Sequence, residues 1–505
     1  MARNELKIGS VLSIATLILG SLVQIIYTPM YMKYLGTSDY GIMSLARSLV
    51  NYVGILNMGI GSAILRYTVR YRTEGKIEEE KALNGMFIII FIVISIMASF
   101  VLMYLYARIP HFFKESFTNT ELIKTKQAFL VMGINLVISF PLSVFSANII
   151  SREKFLYQRG LRLVTTLLNP IIGAFLMING FGLIPVVISM AIITFCTYFF
   201  DLFYAIKLGM EINFKNINWS VSREIFAYSF FIFLNMIIDK INWEVDNVII
   251  GRYIGTVAVG LYSLSRIINQ VYMGFSTSVS GVLFPRINKL LVEKKYSEIN
   301  NMFLKAGRIQ YVLLGLISSG FLLLGKDFIY LWLGEGYEIV YKVVVLVMIP
   351  LTIPLIQNTG ISIMQAMNKH QFRSVVYGII AVLNIFISII LVKNYGILGC
   401  AFGTSLSFVV GNIIIMNIYY HKVIKIDMIL FWKNIFQMTT PILIALLFGY
   451  FLNKYFRNIN FINFLIKGSL YSLVYMILMW KISLNEYEKK QLLNPVFKVY
   501  NKLIR

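Results

Sequence analysis

Six ionisable residues stand out inside stretches that otherwise read as lipid-buried: Arg47, Asp239, Lys240, Glu244, Asp246 and Arg266. A charge at the bilayer centre costs about 3 kcal/mol on insertion scales, so such groups face a cavity or a partner. Arg47 and Arg266 are matched positions of an internal repeat, each about two turns inside its apolar stretch. Two cations presented to one cleft from opposite bundles would hold an anionic ligand. The competing reading is a pair of arginines snorkelling from span ends. Residues 230–250 read FFIFLNMIIDKINWEVDNVII. At helical spacing Asp239, Trp243 and Asp246 share one face, while Lys240 and Glu244 are four apart and pair on an adjoining face. That face must look at protein or water. It is expected to line a central cavity, unless its ion pairs serve only to neutralise the helix. The first apolar stretch carries no charge between Lys7 and Lys33, so the site is asymmetric.

These residues need membrane-spanning helices to position them. The chain of 505 residues is 58% hydrophobic and only 14% charged, with a mean hydropathy of +0.75. Soluble domains carry about 25% charged residues. The apolar residues come in runs of about 20, the length that crosses a bilayer as a helix. They lack the alternation of barrel strands. Spans are predicted near 8–30, 40–62, 83–107, 127–149, 163–179, 183–206, 224–249, 257–283, 308–330, 343–366, 374–392, 397–420, 434–453 and 462–480. The expected class is an all-α polytopic membrane protein with about fourteen transmembrane helices. The first run is read as a retained anchor rather than a cleaved signal peptide.

Charge assigns the sides. One alternate set of loops, which includes both termini, holds 31 of the 46 Lys and Arg, against 11 in the other. By the positive-inside rule both termini are cytoplasmic. The net charge of +23 therefore belongs to topology rather than to nucleic-acid binding. Lys489, Lys490 and Lys498 of the tail could lie on the anionic inner leaflet. Cys196 and Cys400 fall inside spans without CxxC spacing, and His111, His370 and His421 are far apart. Neither a disulfide nor a metal site is expected, and no Walker sequence or other cofactor signature is present. Gly59-Ile60-Gly61 reads as a close helix contact rather than a phosphate loop. Pro141, Pro170, Pro185, Pro285, Pro350, Pro354 and Pro441 are either hinges or ordinary membrane-helix prolines.

The repeat sets the architecture. Residues 34–47 read YLGTSDYGIMSLAR and residues 253–266 read YIGTVAVGLYSLSR, with seven of fourteen positions identical. Leu130-Val131-Met132 is echoed by Leu346-Val347-Met348, and Gly182-Leu183 by Gly396-Ile397. An offset of six spans preserves orientation, so the repeat is parallel, about an axis along the membrane normal. The expected organisation is one six-helix bundle at 1–222 and a second at 223–433. Two accessory helices follow at 434–482, with a cytoplasmic tail at 483–505. Transporters built this way bind substrate between the halves and alternate access.

At Tyr34–Arg66, Asp246–Arg266 and Leu333–Tyr337 the chain resembles the oligosaccharide flippases of the polysaccharide-transporter family (Wzx-type). These belong to one superfamily with multidrug-extruding MATE proteins and lipid II flippases. The twelve-plus-two layout matches over nearly the whole length. The resemblance implies a bacterial inner-membrane transporter that flips undecaprenyl-pyrophosphate-linked oligosaccharide outward. Its partners would be that lipid, the bilayer and, in the same pathway, a polysaccharide polymerase and glycosyltransferases. A pyrophosphate fits forked arginines in a low-dielectric cleft, so Arg47, Arg266 and Lys240 are candidates for head-group binding. Arg66 and Arg286, near-matched in the repeat, either recruit the lipid or follow the positive-inside rule. Ion coupling is implied too, with Asp239, Glu244 or Asp246 carrying a proton or sodium.

The competing transporters are a small-molecule exporter of the MATE type and a lipid II flippase. A membrane polymerase or glycosyltransferase is disfavoured, because no loop exceeds about 25 residues and a soluble catalytic domain needs about 50 or more.

Overall fold

The computed structural model describes residues 2–489 apart from 216, 370 and 487. Among the described residues fourteen long helical segments succeed one another and no strand forms. They are α1 (Ala2–Tyr34), α2 (Gly36–Thr73), α3 (Ile77–Phe113), α4 (Asn119–Ser151), α5 (Phe155–Ile178) and α6 (Leu183–Lys207). Then come α7 (Trp219–Tyr253), α8 (Thr256–Val292), α9 (Tyr296–Leu333) and α10 (Glu338–Ile356). The last four are α11 (Gln371–Tyr395), α12 (Ile397–Ile424), α13 (Met428–Tyr455) and α14 (Phe461–Ser483). A short continuation, Asn358–Ala366, follows α10 after Gln357.

The expected all-α membrane architecture is present. Eleven of these helices are long and apolar enough to cross a membrane, or twelve if the two bent parts of α7 form one span. The expected count of fourteen is not reached by that measure. His370, Lys490 and Lys498, and most of the expected tail, lie outside the described residues.

Helices form because lipid offers no partner to a backbone N–H or C=O, so each must be satisfied within its own segment. The free N–H groups at helix starts are met by polar caps. Thr118 and Glu121 form a reciprocal capping box at α4. Asp427 accepts from the Leu430 amide (2.9 Å) at α13, and Asn460 from the Asn463 amide (2.7 Å) at α14. The helix α2 is broken mid-span by a tight turn at Gly54–Asn57. Met58 and Gly59 there adopt left-handed φ of 51° and 69°. A methyl at Gly59 would overlap Ile232 of α7, so this glycine is a close helix contact, as the sequence suggests.

The chain separates into two compact units, residues 1–263 with 392–400, and 264–391 with 401–505. In the first, α4 packs against α2, α3 and α6, and α1 lies along α5. In the second, α9 packs against α10, α13 and α14. Gly315 of α9 leaves room for the Tyr475 ring of α14, whose hydroxyl donates to the Val312 carbonyl at 2.9 Å. Tyr471 donates to Ser319 at 2.6 Å.

Two buried ion pairs fasten this second assembly. Arg308 of α9 donates Nε and Nη2 to the Glu488 carboxylate at 2.5 and 2.8 Å, Nη1 to Asn434 Oδ1 at 2.8 Å and Nη2 to the Ser483 carbonyl at 2.6 Å. Lys467 of α14 pairs with Asp327 of α9. Arg308 and Asp327 are 19 residues apart, which is about 28 Å along a helix at 1.5 Å per residue and close to the thickness of a hydrocarbon core.

Candidate functional site

The charged stretch of α7 packs on α2. Glu244 is buried and accepts from Ser48 Oγ at 2.7 Å and Asn51 Nδ2 at 3.0 Å. Asn247 donates to Ser48 at 2.9 Å. Tyr262, at the start of α8, donates to the buried Asp246 carboxylate. The expected Lys240–Glu244 pair is replaced by these contacts. An i,i+4 lysine reaches its partner only through a long flexible stem, whereas Ser48 and Asn51 lie opposite Glu244 on short side chains. Lys240 is half-buried and has no ion pair or hydrogen bond among the described residues. Arg47, one position before Ser48, is exposed and likewise has neither among the described residues. Its charge acts on the hydroxyl of the buried Tyr31 of α1. Tyr31 packs edge-on against Tyr27 and tilted on Tyr40.

The structure thus brings Arg47, Lys240, Glu244 and Asp246 into the first unit, along the α2–α7 seam. Asp239 is exposed on α7 and Arg66 is exposed on α2. Arg266 is half-buried on α8, beyond the division, in the second unit.

A cavity of about 500 Å³ opens between α2, α4, α5 and α6, within the range of about 300–1,000 Å³ typical of small-ligand sites. Ser146, Arg162, Asn169, Thr197, Tyr198 and Asp201 line it. Asp201 is buried and accepts a hydrogen bond from Ser146. Its other oxygen has no hydrogen-bond partner among the described residues. The described residues contain no cluster of His, Cys, Asp and Glu that would hold a metal.

The family described as "Polysaccharide biosynthesis protein" matches residues 7–291, more than half the chain. The chain belongs to that family. Among its relatives is a protein named "Probable flippase AglR", from Haloferax volcanii, 27% identical over 174 residues, or 34% of this chain and 36% of that one. The chain thus spans about a third of that relative's length. A provisionally assigned O-antigen transporter of Shigella flexneri is 20% identical over 393 residues, covering 76% of this chain and 90% of that one. The fold is that of the solved lipid II flippase MurJ, in an inward closed conformation. That match has a TM-score of 0.73 at 18% identity, covering 99% of this chain and all of that one. A MATE multidrug transporter shares it more distantly, with a TM-score of 0.57 at 13% identity over 78% of this chain and 92% of that one.

For this member of the polysaccharide biosynthesis family, sequence reading passed over Asp201 and Asp327. Both lie inside predicted spans, at 183–206 and 308–330, so the search for in-span charges that singled out span 7 would have found them. Arg308 was missed differently. It closes a basic loop in the charge count and reads as an ordinary topology determinant, but it is buried.

Proposed function

We propose that this chain is a flippase. It moves undecaprenyl-pyrophosphate-linked oligosaccharide from the cytoplasmic to the outer leaflet by alternating access, and an ion gradient drives it. Family membership, flippase-named relatives and the MurJ-like fold all support transport of a lipid-linked glycan. The observation that carries the reading is Arg47, a cation within a predicted span, free of any ion pair or hydrogen bond among the described residues. Keeping such a charge unpaired is expensive unless a ligand or water meets it. A pyrophosphate is a fitting ligand, because its oxygens take the guanidinium fork. Lys240 supplies a second such cation in the same unit, and Arg266 stays a candidate contact of the head group. Arg66, exposed on α2, would recruit the head group or only follow the positive-inside rule.

The acidic residues respond to the coupling ion. Glu244 is the mechanical candidate, since protonating it removes the charge that Ser48 and Asn51 of α2 now solvate. That weakens the α2–α7 seam beside Arg47. Asp239, exposed on the same helix, and Asp246, held by Tyr262, are the other two candidates. The 31-to-11 excess of Lys and Arg supports cytoplasmic termini and an inner-membrane location. The two-bundle division at residue 222, the accessory pair and the tail remain part of this proposal, as do polymerase and glycosyltransferase partners.

A deletion strain tests it. Surface polysaccharide should disappear, and lipid-linked oligosaccharide should accumulate on the cytoplasmic leaflet until the wild-type chain is restored. Normal polymer with raised drug sensitivity would instead identify a multidrug exporter. Loss of viability with trapped lipid II would identify a lipid II flippase.

A further inference from the structure

The repeat that organises the sequence also packs against itself. Thr37 and Gly41 open α2, and their repeat mates Thr256 and Gly260 open α8. A methyl at Gly41 would overlap the carbonyl oxygen of Thr256, and a methyl at Gly260 would overlap the carbonyl oxygen of Thr37. Each glycine therefore seats on the threonine carbonyl of the other copy, the reciprocal pattern of a two-fold contact. The two helix starts cross backbone to backbone, which any side chain would prevent.

A third helix fastens the crossing. Glu121, at the start of α4, accepts from Ser38 Oγ at 2.7 Å and from the hydroxyl of Thr256 on the same oxygen. Its second oxygen is held by the Thr118 amide at 2.9 Å, so the carboxylate is aimed before it meets α2 and α8. One turn further along α4, Lys124 pairs with Asp39 of α2 at 2.7 Å. This end of the first unit thus carries a small glycine contact, two hydroxyls on one carboxylate and a half-exposed ion pair. Hydroxyl, carboxylate and ammonium contacts of this kind can be replaced by water on opening.

We propose that the reciprocal Gly41–Gly260 crossing, fastened by Glu121, is the gate that closes the exterior side. This rests on the flippase reading, whose orientation puts both repeat starts outside. α2 carries Arg47 a turn and a half below Gly41, so parting the crossing exposes the proposed head-group site to the exterior. The repeat keeps its glycines and threonines because the two copies are each other's seat.

A disulfide across the crossing tests this in the full chain with Cys196 and Cys400 replaced by alanine. The hydroxyl oxygens of Ser38 and Thr256 are 2.8 Å apart, so S38C with T256C should cross-link on oxidation in membranes. Export should then fall by at least about tenfold and recover on reduction, as for any gate whose opening limits turnover. A cross-linked chain that exports as well as the reduced one would overturn the proposal, and so would failure to cross-link. A second readout needs no substrate. N51C, labelled from outside with a membrane-impermeant maleimide, should react about threefold faster or more when Gly260→Ala is added, because the methyl disfavours the closed state. Unchanged labelling would overturn the gate. If the flippase reading were wrong, the deletion strain would show normal polymer, and the labelling result would stand apart from it.

Discussion

Arg308 and Lys467 are buried and ion-paired, whereas Arg47 and Lys240 have no ion pair or hydrogen bond among the described residues. The first two pin α14 and the segment after it to α9, near the two ends of an apolar stretch about as long as a hydrocarbon core is thick. Every nitrogen of the Arg308 guanidinium group donates, to a carboxylate, an amide oxygen or a carbonyl. Such a charge is inert toward a ligand, and losing its partner strands it. The second two ride on helices whose carboxylate, Glu244, accepts from Ser48 and Asn51 of α2 rather than from Lys240. Lys240 and Arg47 are thereby left available. The difference separates charges that build the fold from charges held ready for an anion.

The largest expected effect is on the paired side. Glu488→Ala leaves Arg308 buried without its carboxylate and should destabilise the protein by about 3–5 kcal/mol. Membrane abundance and the melting temperature in detergent should fall together. Replacing both residues by methionine should recover most of that loss, because a buried pair and a well-packed apolar pair are nearly equivalent. Full stability in the single variant would break the comparison.

A smaller effect is expected at Glu244. Glu244→Gln keeps the shape but removes the charge that Ser48 and Asn51 solvate, and should cost about 1–2 kcal/mol as charge-assisted bonds become neutral ones. Export should lose its dependence on the proton gradient if Glu244 is the coupling residue. Retained dependence would shift that role to Asp239 or Asp246. The smallest change in stability, within about 0.5 kcal/mol, is expected for Arg47→Ala, since no described contact is lost.

The helices, their order and the self-matching repeat were legible because lipid forces long apolar runs and a parallel repeat copies its sequence. The pairings were not. Arg308 and Glu488 are 180 residues apart and Lys467 and Asp327 are 140 apart, separations at which no spacing rule operates. Glu488 lies in a segment that reads as a free tail, yet Arg308 holds it buried, and Asn485 caps its amide at 2.9 Å. At Glu244 a spacing rule did operate and pointed to Lys240. Tertiary packing overrode it, because Ser48 and Asn51 arrive from α2, 196 and 193 residues away. The candidate site was legible as a set of misplaced charges. Which of them stay unpaired is a property of the packing alone.

The most direct test of the central claim combines Arg47→Ala with Lys240→Ala in a strain lacking the native copy. Membrane abundance and melting temperature should stay normal. Surface polysaccharide should fall about ten- to a hundredfold, the worth of one or two hydrogen bonds to a charged ligand, with lipid-linked oligosaccharide trapped on the cytoplasmic leaflet. Wild-type polymer at normal abundance would contradict it, and the free cations would then have no part in moving the substrate.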